Sequence, residues 1–350
     1  MADDRHFPAL FRFGLLRLQQ HQFADAERLF RRAVRVDKRS ADAHEFLGSA
    51  LTGLARPAEA VRSYEKAIAI RPDFAEAHNN LGYALQALGR LDDAMRRYQK
   101  AINIRPQYPE AYNNLGNVLH LLDRSEEAIQ CYEKALKIKP DYAEAYWNLG
   151  TALRTVGRLE QAIPQYERAI ATRPNYYQAY NSLGNTLRNL GRIEEALAHY
   201  EKALAIEPTN AEAQLNRGDI LFALGRDEAA IAVYDQVLAS NPQDADALVK
   251  RGNVLFLLRR DAEALASFEA AVAADPNNDF AFDAMAHCAI KTCNWSRTPN
   301  LWQEVPARVA DVRFFSTFSF LGYSSDPALQ LACARRFIHQ KVPVRLPQLW

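Results

Sequence analysis

The sequence has no surplus of either charge: 43 Lys and Arg stand against 42 Asp and Glu, a formal net charge of +1. Such a chain presents no large single-sign field, the footprint that nucleic acid or an anionic membrane surface demands, so neither is expected as a partner. Cysteine is scarce, with four residues (Cys131, Cys288, Cys293 and Cys333) at irregular intervals in 350. That spacing excludes a disulfide framework and favours a reducing compartment, the cytoplasm by default. Nowhere do about eighteen apolar residues follow one another without a charge, and the opening Met1-Ala2-Asp3-Asp4-Arg5-His6 lacks signal-peptide form, so neither a membrane span nor secretion is expected. Glycine-rich turns are missing as well. Beyond Gly252 the sole glycine is Gly322, which leaves nothing to cradle a diphosphate, and no strand–helix–strand unit is readable. No cofactor is expected.

What the sequence does contain is a period. Gly14, Gly48, Gly82, Gly116, Gly150, Gly184, Gly218 and Gly252 follow one another at 34 residues. An alanine keeps the same step from Ala26 to Ala264, an aromatic from Phe30 through Tyr132 to Phe268, and a proline closes every unit but the first, from Pro72 to Pro276. Three registers in phase mean a helical array, built of units that start at Phe7, Ala41, Ala75, Pro109, Ala143, Tyr177, Ala211 and Ala245. In the third unit Ala77, Leu81, Ala84, Leu85 and Leu88, then Leu91, Ala94, Met95, Tyr98, Ala101 and Ile102, recur at three- and four-residue steps, which predicts two amphipathic helices. Gly89, Gly157, Gly191 and Gly225 stand between the paired helices, where a left-handed residue ends the first. Twelve of the 14 glycines are thereby structural.

The joints between units read as capping boxes, because Asp73 and Asp141 each precede a glutamate, Glu76 and Glu144, by three residues, just after a proline. The ladder glycine lies inside the first helix, where it costs about 1 kcal/mol against alanine. It therefore implies close approach by the second helix, with Ala94 and its equivalents as the matching small surface. Pro164 falls inside a second helix, near its first turn, where it is tolerated with at most a local bend.

Tyr112, Leu115, Gly116, Leu119, Ala128, Tyr132, Ala135 and Pro140 resemble the tetratricopeptide pattern almost in full, and the resemblance runs from Phe7 to Asn278. It implies an all-α fold, a right-handed α–α superhelix (solenoid) with eight repeats in residues 1–278. Residues 279–350 are expected to form a half-repeat cap and a short helical extension. In that extension the run from Ala286 through Cys293-Asn294-Trp295-Ser296 resembles the segment that joins the repeats to the catalytic part of O-linked N-acetylglucosamine transferases, with Asn294 in place of the usual aspartate. Phe318-Ser319-Phe320-Leu321 and Ser325 to Leu331 resemble the next part of that linker in bacterial members. The two nucleotide-sugar lobes of that family are expected to be absent from this chain.

No catalytic residue and no metal site are expected. His287, Cys288 and Cys293 cluster within seven residues, but zinc normally takes four ligands in paired short spacings. His44 and His78 sit one period apart, as equivalent positions do. Cys131 reads the same way. The better candidates are asparagines on the first helices: Asn79, Asn80, Asn113, Asn114, Asn148, Asn181 and Asn216, with Asn117, Asn185 and Asn253 one turn on. Asparagine is a poor helix former, so its recurrence is taken as functional, on polar positions that the packing does not need. In the resembled family an asparagine ladder lines the concave groove and holds extended peptide backbone, work that suits a side chain able to donate and accept at once. The expected function is a non-catalytic scaffold that binds a protein or extended peptide in that groove. A fragment of a glycosyltransferase whose catalytic domain lies elsewhere, and an assembly adaptor or homo-oligomer, stand beside it. Leu215, Phe222, Phe256 and Leu257 depart from the polar pattern and are expected to anchor a ligand or the chain's own tail.

Overall fold

A computed structural model describes residues 7–292, with Ala328 and Leu331 beyond them. All regular structure among the described residues is helical, in two compact units divided between Leu190 and Gly191. The first unit holds α1 (Phe7–Gln19), α2 (Phe23–Val36), α3 (Ala41–Gly53), α4 (Pro57–Ile70), α5 (Ala75–Ala87), α6 (Leu91–Ile104), α7 (Pro109–Leu121), α8 (Ser125–Ile138), α9 (Ala143–Thr155), α10 (Leu159–Thr172) and α11 (Tyr177–Asn189). The second holds α12 (Ile193–Ile206), α13 (Ala211–Ala223), α14 (Asp227–Ser240), α15 (Ala245–Leu257), α16 (Asp261–Ala274) and α17 (Asp279–Lys291). The first helix of each pair opens on the residue that the glycine frame marks as a unit start. No helix among the described residues is long and apolar enough to cross a membrane.

Each unit is a stack in which every helix packs on the one before and the one after it in sequence. Within the first unit consecutive first helices also touch, α1 on α3, α3 on α5, α5 on α7, α7 on α9 and α9 on α11, whereas second helices make no comparable contact with one another. The first helices therefore form the inner, tighter side of the stack. The ladder glycine acts at a different seam, between the two helices of one pair, and its neighbour differs from the expected one. A Cβ at Gly82 would meet Cε1 of Tyr98 at 2.7 Å, and at Gly116 it would meet that of Tyr132 at 2.6 Å. An aromatic ring, rather than the small face of Ala94, fills the space that glycine leaves. These rings are sealed in, with Tyr98 and Tyr166 at 0% exposure.

The turn inside each pair ends its first helix in the left-handed region. Gly89, Gly157, Gly191 and Gly225 have φ between 70° and 79°, and the same place is held by His21, Ala55, Asp123 and Arg259 at φ 55–62°. The N–H of the following residue reaches back to the helix, as Arg56 does to the Leu51 carbonyl at 3.0 Å and Arg90 to that of Leu85 at 3.0 Å, the bond that defines a Schellman ending. A Cβ in this region costs roughly 1–2 kcal/mol, partly offset by the chain entropy that glycine loses. Ala55→Gly is therefore expected to stabilise the first unit by about 0.5–1 kcal/mol, read as a rise in the urea midpoint at unchanged slope.

The joints between pairs correct the capping expectation. Phe74 and Tyr142 occupy the N-cap positions and make no side-chain cap bond. Glu76 and Glu144 turn away from the cap to pair with Arg105 and Arg173. In place of a box, the cation at the end of the second helix lies over the joint aromatic: Arg71 over Phe74 at 4.4 Å, Arg105 over Tyr108 at 4.8 Å, Lys139 over Tyr142 at 4.7 Å and Arg173 over Tyr176 at 4.8 Å. Side-chain capping appears where the aromatic is absent. Ser40, Asn210 and Asp244 accept from the N–H three residues on, at 3.2, 2.7 and 3.0 Å. Pro164 is the sixth residue of α10, one turn deeper than expected, and the helix continues past it to Thr172. Proline has no N–H to donate to the carbonyl of the preceding turn.

Candidate functional site

The asparagines occupy two adjacent positions on the inner helices, and the structure treats them differently. Asn79, Asn113 and Asn181 are buried, at 7%, 5% and 6% exposure, whereas Asn80, Asn114 and Asn148 are half-exposed. The packing does need the first set. Asn114 Nδ2 donates to Asn79 Oδ1 at 3.0 Å and Asn148 Nδ2 donates to Asn113 Oδ1 at 2.8 Å, each bond tying one inner helix to the one before it. Asn80 Nδ2 makes the same reach to Glu45 Oε1 at 2.7 Å, and Asn79 Nδ2 closes the chain by donating to Asn80 Oδ1 at 3.1 Å. One network thus runs across α7, α5 and α3.

Glu45 ends that network and was not among the expected residues. It is 4% exposed; burial pushes its carboxyl above the ordinary value, while donation from Asn80 and from Ser49, at 3.0 Å, holds it down. The next repeats put Trp147 at the matching place, its Nε1 donating to Ser182 Oγ of α11 at 3.0 Å. The signal was present in the sequence as a 35-residue offset between partners, one more than the period, which appears only when adjacent units are compared.

One or two turns further along the inner helices, polar side chains receive the hydroxyls of the buried rings. Tyr132 donates to Asn117 Oδ1 at 2.8 Å, Tyr98 to Gln86 at 3.2 Å, Tyr166 to Thr151 at 3.3 Å, and in the second unit Tyr234 to Asp219 at 2.9 Å. Asn117 is therefore a partner of the core. Asn185 and Asn216 are half-exposed, and Asn253 lines a cavity of about 260 Å³ together with Phe256, Phe280 and His287. Of the expected apolar anchors, Phe256 faces that cavity with its ring 5.4 Å from His287, and Leu257 is exposed. Leu215 and Phe222 are half-buried. Cys288 is buried and its thiol is pushed up to about 11 by that burial. Cys293, and the segments compared with a transferase linker, lie outside the described residues apart from Ala286 to Thr292, Ala328 and Leu331.

Asn114 and Asn148 are pinned by one N–H each, which leaves an acceptor oxygen and a second N–H on a half-exposed amide. A donor and an acceptor held at fixed orientation, repeated from helix to helix, match the alternating N–H and C=O of an extended chain. The same pinning makes these amides structural. Asn148→Ala strips the buried Asn113 oxygen of its partner, a cost of about 1–3 kcal/mol against a gain of about 0.6 kcal/mol in helix propensity. A net loss of about 1 kcal/mol in the first unit is expected, measured by chemical denaturation.

His44 and His78 belong to the frame. Their Nε2 atoms donate to the carbonyls of Lys38 at 3.3 Å and Pro72 at 3.0 Å, and Gln214 makes the equivalent bond to Pro208 at 2.8 Å. The opposite ring atoms, Nδ1, are buried without a partner. Burial first, then the neighbouring cations, hold both imidazoles below their ordinary 6.5. Folding favours the neutral ring, so this stabilisation is complete above the unfolded value near 6.5 and is lost as pH falls through the lower folded value. Melting temperature should therefore decline below that pH, and the doubly substituted His44→Gln/His78→Gln chain should decline less.

Two family models described as tetratricopeptide repeat match the chain, one at residues 73–141 and 107–175 and the other at 11–73, 147–211, 182–244 and 215–279. No curated protein sequence matches it. Among solved structures the Cut9–Hcn1 hetero-tetramer of the APC/C is similar with a TM-score of 0.58 at 19% identity, over 76% of this chain and 52% of that one. This chain thus spans about half the length of that relative. MamA is similar at 28% identity over 47% of this chain and 97% of its own, with a TM-score of 0.44. YrrB, described as a TPR protein with an unusual peptide-binding site, is 23% identical over 53% of this chain and 95% of its own, also with a TM-score of 0.44. With matches that run from residue 11 to residue 279, the chain belongs to the tetratricopeptide-repeat family.

Proposed function

We propose that the inner face of the first unit binds an extended peptide segment of a partner protein through the amides of Asn80, Asn114 and Asn148. The observation that carries this reading is the cross-helix pinning, which fixes each amide before a ligand arrives and so lowers the ordering cost of binding. Neighbouring helices stand roughly 10 Å apart, so three amides span about 20 Å, the reach of about six extended residues. Hydrogen bonds to backbone tolerate many side chains. Panning a random-sequence peptide display library against the chain should enrich ligands with no shared side-chain motif, and the Asn80→Ala/Asn114→Ala/Asn148→Ala chain, assayed below its own melting temperature, should lose them. Equal capture by the triple variant would place binding elsewhere.

The finer reading, that this array is the acceptor-recognising arm of an O-linked N-acetylglucosamine transferase-like protein, is supported by the sequence of residues 286–296 and 318–331. Calorimetry with a uridine-diphosphate sugar tests this chain's own part in such chemistry: the arm alone should show no saturable heat. The free, buried Cys131 and Cys288 suit a reducing, cytoplasmic setting.

A further inference from the structure

The outer side of the first unit carries a feature that the balanced charge of the chain conceals. A cavity of about 300 Å³ opens between α2 and α4, with His44, Leu47 and Leu51 of α3 as its buried floor. Arg31 and Glu59 on its rim neutralise each other at 3.1 Å. Arg35, Arg62 and Lys66 also line it, and none of them has a carboxylate partner among the described residues. Like charges gathered around one concavity repel, and the arrangement is relieved by an anion. One repeat on, a second cavity of about 340 Å³ recurs with Arg96 and Lys100 in the places of Arg62 and Lys66, and with Arg97 beside them.

The second observation is in the floor. His44 is 5% exposed, and because its Nε2 donates to Lys38, its buried Nδ1 holds a lone pair with no donor to receive. Arg31 and Arg35 from α2, Asp37 from the joint, and Glu59, Arg62 and Lys66 from α4 surround the ring. Burial is the larger reason that the ring stays neutral, and an anion seated among these cations offsets the second, the repulsion from Lys66.

We propose that the two outer cavities are a docking site for an acidic segment of a partner protein, with one carboxylate seated among Arg35, Arg62 and Lys66 and another beside Arg97 and Lys100. Carboxylates are favoured over a continuous phosphate backbone because Glu59, Glu65 and Asp93 already line the cavities, and because an apolar floor suits the methylenes of a glutamate. The two seats lie one repeat apart along the outer side, the first between α2 and α4 and the second between α4 and α6. Docking at the first seat draws a proton from solvent onto His44.

The test titrates hexaglutamate peptide into the full chain at low salt, with inorganic phosphate and a single-stranded oligonucleotide as parallel arms. Saturable binding of the peptide is expected, weakened about tenfold or more in Arg62→Ala/Lys66→Ala, whose melting temperature should hold or rise as the repulsion is removed. Proton uptake, read from calorimetry in buffers of different ionisation heat, should vanish in His44→Gln. That variant should keep the fold, since Gln214 makes the same backbone bond at the equivalent position five repeats further along. No saturable peptide binding, equal binding by the double variant, or tighter binding of the oligonucleotide or phosphate would overturn the proposal. Proton uptake that survives in His44→Gln would overturn the part assigned to the ring.

Discussion

Gly150→Leu should cost the first unit about 3 kcal/mol or more. A Cβ at this position would lie 2.7 Å from Cε1 and 2.9 Å from Cδ1 and Cζ of Tyr166, a ring with no exposure and no free direction to move. The remaining leucine atoms extend that overlap into the seam between α9 and α10. Relief requires the two helices to part, and each repeat buries its apolar face only on its neighbours, so the damage spreads along the stack. Chemical denaturation of the chain and of Gly150→Leu/Tyr166→Ala separates the mechanisms: removing the ring should restore part of the loss. A Gly150→Leu chain with an unchanged denaturation midpoint would sink the account of the glycine ladder.

Tyr132→Ala should be comparably damaging, at about 3–5 kcal/mol, because it empties a site the size of an aromatic ring at 2% exposure and leaves Gly116 facing a void. Tyr132→Phe isolates the hydroxyl. Its bond to Asn117 is worth about 1 kcal/mol net, and the half-exposed Asn117 can turn to water once it is gone. A phenylalanine variant as unstable as the alanine one would mean that the hydroxyl, not the ring, holds the seam.

These two substitutions lie on the line between what the sequence discloses and what it conceals. The spacing of Gly116 and its equivalents gives the repeat, the helix pairs and the frame, because periodicity is a one-dimensional property that the chain carries directly. That Tyr132 lies over Gly116 depends on how two helices cross, and Ala128, four residues before the tyrosine, is as plausible on spacing alone. Tyr142 was legible as part of a joint, yet the neighbouring Asp141 drew the capping role because acids cap helices on average; the ring held under Lys139 is a pairing that no local rule supplies. The asparagines were partly legible. Their recurrence marked an unusual face, but reading each helix alone hid that Asn148 reaches Asn113 and that Glu45 closes the series. Whole-chain charge was the least informative quantity: a balance of +1 says nothing about Arg35, Arg62 and Lys66 converging on one cavity.

The central claim is that pinned amides on the inner helices are what a bound peptide touches. Its most direct measurement follows the side-chain NH2 resonances of Asn114 and Asn148 by 1H–15N NMR while a library-selected peptide is added, with Asn103 on the second helix α6 as reference. The account predicts that both inner amides shift with a common saturation curve while the N–H bonded to Asn79 or Asn113 keeps its hydrogen-bonded position and Asn103 stays still. A peptide that binds and moves Asn103 or the outer arginines, leaving Asn114 and Asn148 unchanged, would contradict it.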